Sequence, residues 1–448
     1  MLRKNQYDFF ALYPKLFSWC IVQHTKMAGG LMQLVAYGAQ DVYLTGNPKV
    51  TFFQAVYRRH TNFAMENIEQ TVNGTPANSG RVSVTIARNG DLVGDMYVEL
   101  KTHASTVDTG TDGSGADACW IAERAIKDVE LSVGGQRIDK CYQKWWRLYS
   151  ELYLDEGKKA AWGKMTTAGA DKQVFLPLIF FFNRNPGLAL PLIALQYHEV
   201  RLDFDLSSEF SHYTDNTTFK VYANYIYLDT EERRRFAQKG HEYLIEQVQH
   251  TGVDSVTAAG GSKQVRLSYN HPVKELVWAL SENDPLQGLW NFTTKAGDTE
   301  IVLESDPAAA AGESNCYIPI SQVGTPLYSP GLSSQKLSEE TVGTVATMKL
   351  VLNGQDRFKE QSGKYFNQVQ PYQHHTGSPM PGIYSYSFAL KPEEHQPTGS
   401  CNFSRIDNAQ VAIVTTGTNN AATNLNMFAV NYNVLRIQSG MGGLAFSN

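Results

Sequence analysis

The residues that could do chemistry are scattered along this chain of 448 residues. Its 11 histidines show no H-E-x-x-H motif or other metal-binding spacing. His374 and His375 are adjacent, but neighbouring side chains on a strand point to opposite faces, so the pair would not easily share a metal ion. We interpret the pair as part of a solvated loop, and we predict no metal site.

Catalytic patterns are equally sparse. There is no G-x-S-x-G nucleophile elbow and no phosphate-binding P-loop. Glu99, Asp203 and Asp205 could supply the two carboxylates of a glycosidase, but the sequence does not show the distance between two carboxyl groups. Most acidic residues simply face solvent. We therefore predict no catalytic residues and no cofactor.

The cysteines and the glycosylation motifs give weaker signals. Five widely spaced cysteines without a C-x-x-C pair are typical of reduced thiols, and they are Cys20, Cys119, Cys141, Cys316 and Cys401. The Asn-x-Ser/Thr motif occurs at Asn402, which adjoins a predicted strand and is expected to stay unmodified. The motifs in polar sequence, which we take as loops, are the candidate N-glycosylation sites: Asn73, Asn216 and Asn291.

Charge argues against nucleic acid as a direct, sequence-specific partner. The formal net charge is −5, and the basic clusters are confined to Arg58–His60 and Arg233–Arg235. A charge run on a helix is usually a solvated or salt-bridged face. We expect no nucleic-acid interface.

Composition and periodicity indicate a globular, all-β protein. Hydrophobic residues make up 42% of the chain and aromatic residues 11%. Alternation over 82–86 followed by Asn89-Gly90 predicts a hairpin there. A further strand, over 221–229, should place Val221, Ala223, Tyr225 and Tyr227 on one face.

Helical patterns are few. Residues 141–162 carry Trp145, Leu148, Tyr149 and Leu152 at helical spacing. Residues 188–195 could form one or two helical turns, and residues 230–240 predict a short charged linker helix at the domain boundary. The apolar run 175–182 is far shorter than the ~20 residues of a transmembrane helix.

Short fragments recur in the same order in the two halves of the chain. Gly135-Gln136 returns as Gly354-Gln355, and the sequence IEQ occurs at 68–70 and at 245–247. Arg201–Asp203 pairs with Arg405–Asp407, and Asn224-Tyr225 pairs with Asn431-Tyr432. We predict two tandem β-sandwiches, at 51–229 and 241–448, joined by the linker at 230–240 and with other short helices in loops. Each is expected to be a jelly roll or a similar Greek-key form.

The N-terminal region is interpreted separately. Arg3 and Lys4 precede an apolar run that Pro14 and Lys15 interrupt, which is a poor match to a signal peptide. We expect residues 1–26 to be an extension that is not necessarily present in the mature protein, and residues 27–50 to be an N-terminal arm.

Several long segments together carry a resemblance. They include GGLMQLVAYGAQDVYLTGNPKVTFFQAVYRRHTNFAMENIEQ, VELSVGGQRIDK, PLIFFFNRNPGLALPLIALQYHEV, RFAQKGHEYLIEQ, YFNQVQPYQ, CNFSRIDNA and NYNVLRIQSGMGGLAF. In this order, from Met27 to Asn448, the chain resembles the major capsid proteins of phycodnaviruses and related large icosahedral nucleo-cytoplasmic DNA viruses.

This resemblance implies that both sandwiches are eight-stranded jelly rolls, and that this double jelly roll forms a homotrimer, a pseudo-hexagonal capsomer of the icosahedral shell. It also implies that residues 29–48 are extended and tuck beneath their own or a neighbouring subunit, with an ordinary first strand of the first domain as the alternative. It implies as partners neighbouring capsomers and, on the inner face, minor capsid proteins and an internal membrane, with glycans on outward loops. It further implies a late, non-enzymatic virion protein assembled in the host cytoplasm. The loops at 105–118 and 305–312 contain no motif of the family and are expected at the surface.

Two other functions use the same fold. A jelly roll could serve as a carbohydrate-binding or cell-attachment module, or as a glycan-processing enzyme. Assembly of the chain into particles would separate the capsid interpretation from both.

Overall fold

The computed structural model describes residues 29–36, 38–102, 120–167, 172–256, 260–281, 292, 343–379, 382–416 and 424–446. The chain divides into two compact units, Met1–His60 and Thr61–Asn448. Of the sequence predictions, residues 1–26, the loops at 105–118 and 305–312, and Asn291 lie outside the described residues.

In its described residues, from 29 onward, the first unit contains two short helices, α1 (Gly29–Val35) and α2 (Asp41–Thr45). The prediction of an extended segment or a strand over 29–48 was therefore wrong. Leucine and methionine, which favour helix, are frequent in α1. The backbone N–H of Gly38 donates to Asp41 Oδ2 (2.7 Å), and Gly46 ends α2.

The second unit begins with a sandwich of two antiparallel sheets, here called the first sandwich. Sheet A has the strand order β1-β10-β4-β7, with β8 beside β4, and sheet B has the order β2-β3-β9-β5-β6. The strands are β1 (Phe63–Gln70), β2 (Val72–Asn73), β3 (Arg81–Thr85), β4 (Leu92–Thr102), β5 (Ile126–Val133), β6 (Gln136–Tyr142), β7 (Gln173–Pro177), β8 (Leu190–Pro191), β9 (Val200–Leu206) and β10 (Thr214–Leu228).

A second sandwich follows, again with two antiparallel sheets. Sheet C has the order β11-β20-β13-β17, with β18 and β21 at its margins, and sheet D has the order β12-β19-β14-β15, with β16 beside β14. The strands are β11 (His241–Ser255), β12 (Ser262–Leu267), β13 (Pro272–Ser281), β14 (Val345–Leu352), β15 (Gln355–Asp356), β16 (Gln361–Ser362), β17 (Ile383–Ser387), β18 (Cys401–Asn402), β19 (Ala409–Thr415), β20 (Asn424–Gln438) and β21 (Met441–Leu444).

The two sandwiches have the same topology. When the eight principal strands of each are counted in chain order, one sheet runs 1-8-3-6 and the other runs 2-7-4-5. This is the jelly-roll arrangement, and the predicted all-β fold of two tandem jelly rolls is confirmed. Sheet A corresponds to sheet C, and sheet B corresponds to sheet D.

The repeated Gly-Gln stretch lies at the same place in both sandwiches. It closes the hairpin β5–β6 in the first and the hairpin β14–β15 in the second. The central residues of both turns have positive φ, at Gly134 and Gly135 and at Asn353 and Gly354. Two central residues with positive φ define the type I′ turn, which suits the twist of paired strands.

Alternation buries one face of most strands in the first sandwich. On β9, Val200, Leu202, Phe204 and Leu206 are at most 1% exposed, while the residues between them are partly or well exposed. On β10 the predicted face is correct: Val221, Ala223 and Tyr225 are fully buried. The sheets therefore enclose a common apolar core.

The Asn89-Gly90 hairpin is not formed. β3 belongs to sheet B and β4 to sheet A, so the turn between them crosses from one sheet to the other. Neither residue has a positive φ. A side chain at Gly90 would approach Tyr225 Cβ to 2.9 Å, which indicates a tight corner over the core.

Short helices fill the connections. They are α3 (Ile121–Ala125), α4 (Gln143–Leu152), α5 (Glu156–Thr166), α6 (Phe181–Arg184), α7 (Phe210–Tyr213), α8 (Thr230–Gln238) and α9 (Gln370–His374), with a π-helical turn at Tyr365–Val369. The helix predicted over 141–162 is divided because Asp155 caps α5, its side chain accepting from the backbone N–H of Lys158. The predicted helical turns at 188–195 are mostly a buried irregular segment around β8.

The charged helix α8 forms where predicted, between β10 and β11, and none of its residues is buried. Arg233 Nε lies 3.0 Å from Asp91 Oδ1, so this arginine is salt-bridged as expected. Across the described ranges, every helix is too short or too polar to span a bilayer.

Candidate functional site

The outer face of sheet C is covered by the first sandwich. All residues of β13 from Val273 to Ser281 are buried, including both the side chains that face sheet D and those that point away from it. Val277, Phe428 and Val430 belong to the same apolar cluster as the core of the first sandwich. The two sandwiches thus share one hydrophobic seam.

Helix α4 provides much of this contact. The Trp145 ring lies 5.5 Å from the Phe428 ring, and Tyr142, at the end of β6, lies 5.8 Å from the same ring. The next residue, Trp146, is fully buried, so α4 is held by its own sandwich while it presents Trp145 to the other. Aromatic pairs at these distances add to the stabilisation from burial.

Backbone groups also bond across the seam. The backbone N–H of Val248 on β11 donates to Asp139 Oδ1 on β6 (3.2 Å), and Gln247 Nε2 donates to the carbonyl of Ile138. Burial raises the pKa of Asp139 to about 7, despite two backbone N–H donors that favour the carboxylate.

A buried ionic group bridges the two sandwiches. Arg184 Nη2 on α6 lies 3.1 Å from Glu246 Oε2, and Lys274 Nζ lies 2.6 Å from Glu246 Oε1. Burial alone would raise the pKa of Glu246, but the two cations outweigh it and hold this pKa below its ordinary value. Breaking such a pair would leave an uncompensated buried charge, so the group fixes the alignment of β11 with α6.

His375 is buried, which corrects the prediction of a solvated loop. Its Nε2 pairs with Glu275 Oε1, and its Nδ1 lies 3.2 Å from Glu393 Oε1. Tyr153 of the first sandwich donates to Glu275 Oε2 (2.5 Å). The loop after α9 is thus folded back onto sheet C, and the adjacent His374 instead contacts the carbonyl of Leu390.

The outer face of sheet A differs sharply from that of sheet C. On β4 the outward residues Asp95, Tyr97, Glu99 and Lys101 are partly or well exposed. We call this surface the open face of sheet A, and its other members are Met65, Asn67, Glu69, Phe175, Tyr222, Asn224 and Ile226.

The open face carries a group of aromatic rings. The rings of Tyr97 and Tyr222 stack at 5.2 Å, and Phe175 packs edge-on against Tyr97 at 5.9 Å. Met65 is 56% exposed. Exposed apolar groups gathered on one face mark an interaction surface more often than single ones do.

The carboxylates considered for glycosidase chemistry are not brought together. Glu99 points outward from sheet A, whereas Asp203 and Asp205 point outward from sheet B on the opposite side of the sandwich. Arg81 donates to Asp205 Oδ1 (2.6 Å) and lowers the pKa of that carboxyl. A general acid needs a raised pKa, so these residues do not form an acid–base pair.

The remaining predicted sites are placed as follows. Asn73 is exposed at the end of β2 and Asn216 lies within β10, so neither lies in a loop as predicted. Cys141 is buried and Cys401 partly buried, and both are free thiols. Within the ranges that the structure describes, no group of three or more His, Cys, Asp or Glu residues could hold a metal ion.

Sequence reasoning missed the seam, although a signal was present. β13 reads PVKELVWALS, with apolar residues on both faces, whereas β4 alternates from Asp95 onward. An almost continuous apolar run indicates a strand covered on both sides. Comparing the sequence of β13 with that of β4 would therefore have indicated that sheet C is covered on both faces.

Two family models match the chain. Residues 51–229 match "Major capsid protein N-terminus", and residues 232–443 match "Large eukaryotic DNA virus major capsid protein". The major capsid protein of Paramecium bursaria Chlorella virus 1 is 45% identical, covering 94% of this chain and 100% of that protein. That of Pyramimonas orientalis virus is 42% identical with the same coverage.

Solved structures give the same result. A chain in the quasi-atomic model of the PBCV-1 virus capsid aligns with a TM-score of 0.71 and 40% identity, covering 89% of this chain and 100% of that one. The Faustovirus major capsid protein aligns with a TM-score of 0.64 at 14% identity, over 91% and 96% of the two chains, and supports the fold alone.

Proposed function

The chain belongs to the major capsid proteins of large eukaryotic DNA viruses, and on that premise we propose that it forms homotrimers that tile an icosahedral capsid. It is a structural protein of the virion shell rather than an enzyme, since its relatives are capsid proteins. As such, it contacts neighbouring subunits of the shell.

The observation that carries the trimer is the duplication itself. Two sandwiches of one topology, side by side in each chain, give six similar lobes when three chains form a ring. A closed threefold assembly then fills a sixfold position in a lattice. The domain division is part of this proposal: jelly rolls at 51–229 and 241–448, joined at 230–240.

The same proposal includes the partners of the trimer other than neighbouring capsid subunits. Minor capsid proteins and the internal membrane would meet the inner face of the shell, and the N-terminal arm, residues 27–50, would lie on that side. Its exposed apolar side chains, among them Leu34 and Leu44, support a role in contacts rather than in its own core. For glycans, Asn73 is the best-supported position because it is exposed.

The trimer is tested by measuring the mass of the purified chain in solution. One chain is 49.9 kDa, so light scattering at micromolar concentration should give three times this mass, about 150 kDa. Negative-stain images should show hexagonal tiles with three protrusions. A stable monomer under these conditions would contradict the proposal.

A further inference from the structure

Within one chain, the first sandwich packs against the second through helix α4, which lies on the outer face of sheet C. Sheet A is the counterpart of sheet C, and its outer face is the open face described above. The outer face of sheet C is therefore covered by α4. The equivalent outer face of sheet A is not covered by any described residue of the second unit.

The second sandwich contains a counterpart of α4. α4 follows the hairpin β5–β6, and the helical segment Tyr365–His374 follows the equivalent strands β14–β16. We call this segment the docking helix. Trp146 of α4 and Phe366 of the docking helix are both fully buried in the cores of their own sandwiches. The two helices are thus anchored in the same way.

The outward-facing residues of α4 and of the docking helix differ in their exposure to solvent. Trp145 on α4 is 2% exposed because sheet C covers it. On the docking helix, Val369 is 40% exposed and Tyr372 is 89% exposed. The docking helix therefore presents an exposed apolar surface, and so does the open face of sheet A. These two surfaces have the positions in their own sandwiches that α4 and the outer face of sheet C have in the seam.

We propose that the docking helix Tyr365–His374 of one copy of this chain packs on the open face of sheet A of the next copy. This rests on the proposed trimer and names its contact surfaces. The contact repeats, between chains, the geometry that α4 and sheet C already have within one chain. Because the surfaces at the two ends differ, the contact is head-to-tail, and such contacts close into a ring when the rotation allows it.

The composition of the two surfaces fits this occupant. The open face has an aromatic centre, Tyr97, Tyr222 and Phe175, with Glu69 and Glu99 beside it. Lys364, directly before the docking helix, is exposed. Apolar centres with charged margins are typical of stable protein interfaces.

The test uses one substitution on each surface of the full chain: Tyr222→Lys on the open face and Val369→Glu on the docking helix. Each should raise the concentration at which the trimer dissociates by about tenfold or more. Tyr222→Lys removes the stacked ring at the centre of the open face, and Val369→Glu places a carboxylate in the apolar contact, opposite a face that already carries Glu69 and Glu99. Ser83→Lys, on the partly exposed face of sheet B in the same sandwich, is the matched control and should stay trimeric. Circular dichroism and thermal midpoints report folding, and Met65→Lys replaces Tyr222→Lys should that variant misfold.

Mixing the two variants gives the decisive result. The intact docking helix of the Tyr222→Lys chain can still bind the intact open face of the Val369→Glu chain, but the ring cannot close. An equimolar mixture should therefore contain a species of two chains, which neither variant forms alone. Sedimentation velocity at micromolar concentration measures this directly.

The outcomes separate this proposal from the trimer itself. A monomeric wild-type chain would overturn the proposed trimer. A trimeric wild type whose two variants also remain trimeric, or whose mixture yields no two-chain species, would leave the trimer standing and overturn the assignment of these surfaces.

Discussion

At the scale of single residues, His375 shows how a polar group is kept inside the protein. Its ring lies between the carboxylates of Glu275 and Glu393, and Tyr153 bonds to the other oxygen of Glu275. Burial lowers the pKa of the imidazole, but the two carboxylates more than offset this and raise the pKa to about 9. The protonated ring thus links the loop after α9 to sheet C.

This arrangement predicts a pH dependence of stability. Since the pKa of His375 is higher in the folded state, its contribution is complete below the unfolded value of 6.5 and is lost as the pH rises through about 9. Comparison of the wild type with His375→Gln should show a difference in unfolding free energy of a few kcal/mol at pH 6, shrinking towards pH 10.

The neighbouring position provides the control. His374→Gln removes a ring that contacts only a backbone carbonyl among the bonds described, and should cost little at any pH in this range. Thermal midpoints at several pH values suffice for the measurement. A His375→Gln defect that did not change between pH 6 and pH 10 would contradict the role given to its charge.

At the scale of elements, the turn between β5 and β6 has two adjacent glycines with positive φ. A Cβ at Gly135 would meet nothing within 4 Å, whereas a Cβ at Gly134 would lie 2.4 Å from His198 Nδ1. His198 in turn bonds to the backbone of Gly442. Glycine is therefore required at position 134 both by the positive φ and by the contact with His198. At position 135 it is required by the positive φ alone.

We predict that Gly135→Ala lowers the unfolding free energy by about 1 kcal/mol, the usual cost of placing alanine at positive φ. Gly134→Ala should cost clearly more, because the ring of His198 must also move. Urea titration of both variants gives the comparison, and each serves as the control for the other. Equal costs would show that the contact with His198 is unimportant.

The same kind of turn signal had two different outcomes. Gly-Gln after an alternating strand, which was noted only as a repeat, lies at the turn of two hairpins, whereas Asn89-Gly90, which predicted a hairpin, forms a corner between sheets. Local sequence determines the backbone conformation of a turn. Whether the next strand pairs with the previous one or lies in the opposite sheet depends on the topology of the jelly roll. For the same reason, His375 could not be placed from sequence: its partner Glu275 is 100 residues away in the chain.

At the scale of the whole molecule, the link between the sandwiches is the seam and not the linker. Helix α8 has no buried residue, while the seam buries apolar side chains and the ionic group of Arg184, Glu246 and Lys274. The covalent connection should therefore be dispensable once the chain has folded.

We predict that the two halves stay together after proteolysis within α8. A protease site is placed in the helix of the Tyr222→Lys chain, so that contacts between copies do not hold the pieces. After cleavage, gel filtration without denaturant should give one species that contains both halves, because separation would expose the outer face of sheet C. A cleaved chain carrying Trp145→Ala should separate more readily. Free halves from the cleaved parent would contradict the prediction.

The sequence alone determined the class of fold and its duplication. Alternating hydrophobicity and turn residues are local properties, so they were enough to predict strands, the linker helix and two matching β-sandwiches. Only the tertiary structure decided which surfaces are covered. The outer faces of sheets A and C have the same place in the topology, and one is buried because the first sandwich lies against it. That difference arises from contacts between residues far apart in the chain, which no local pattern contains.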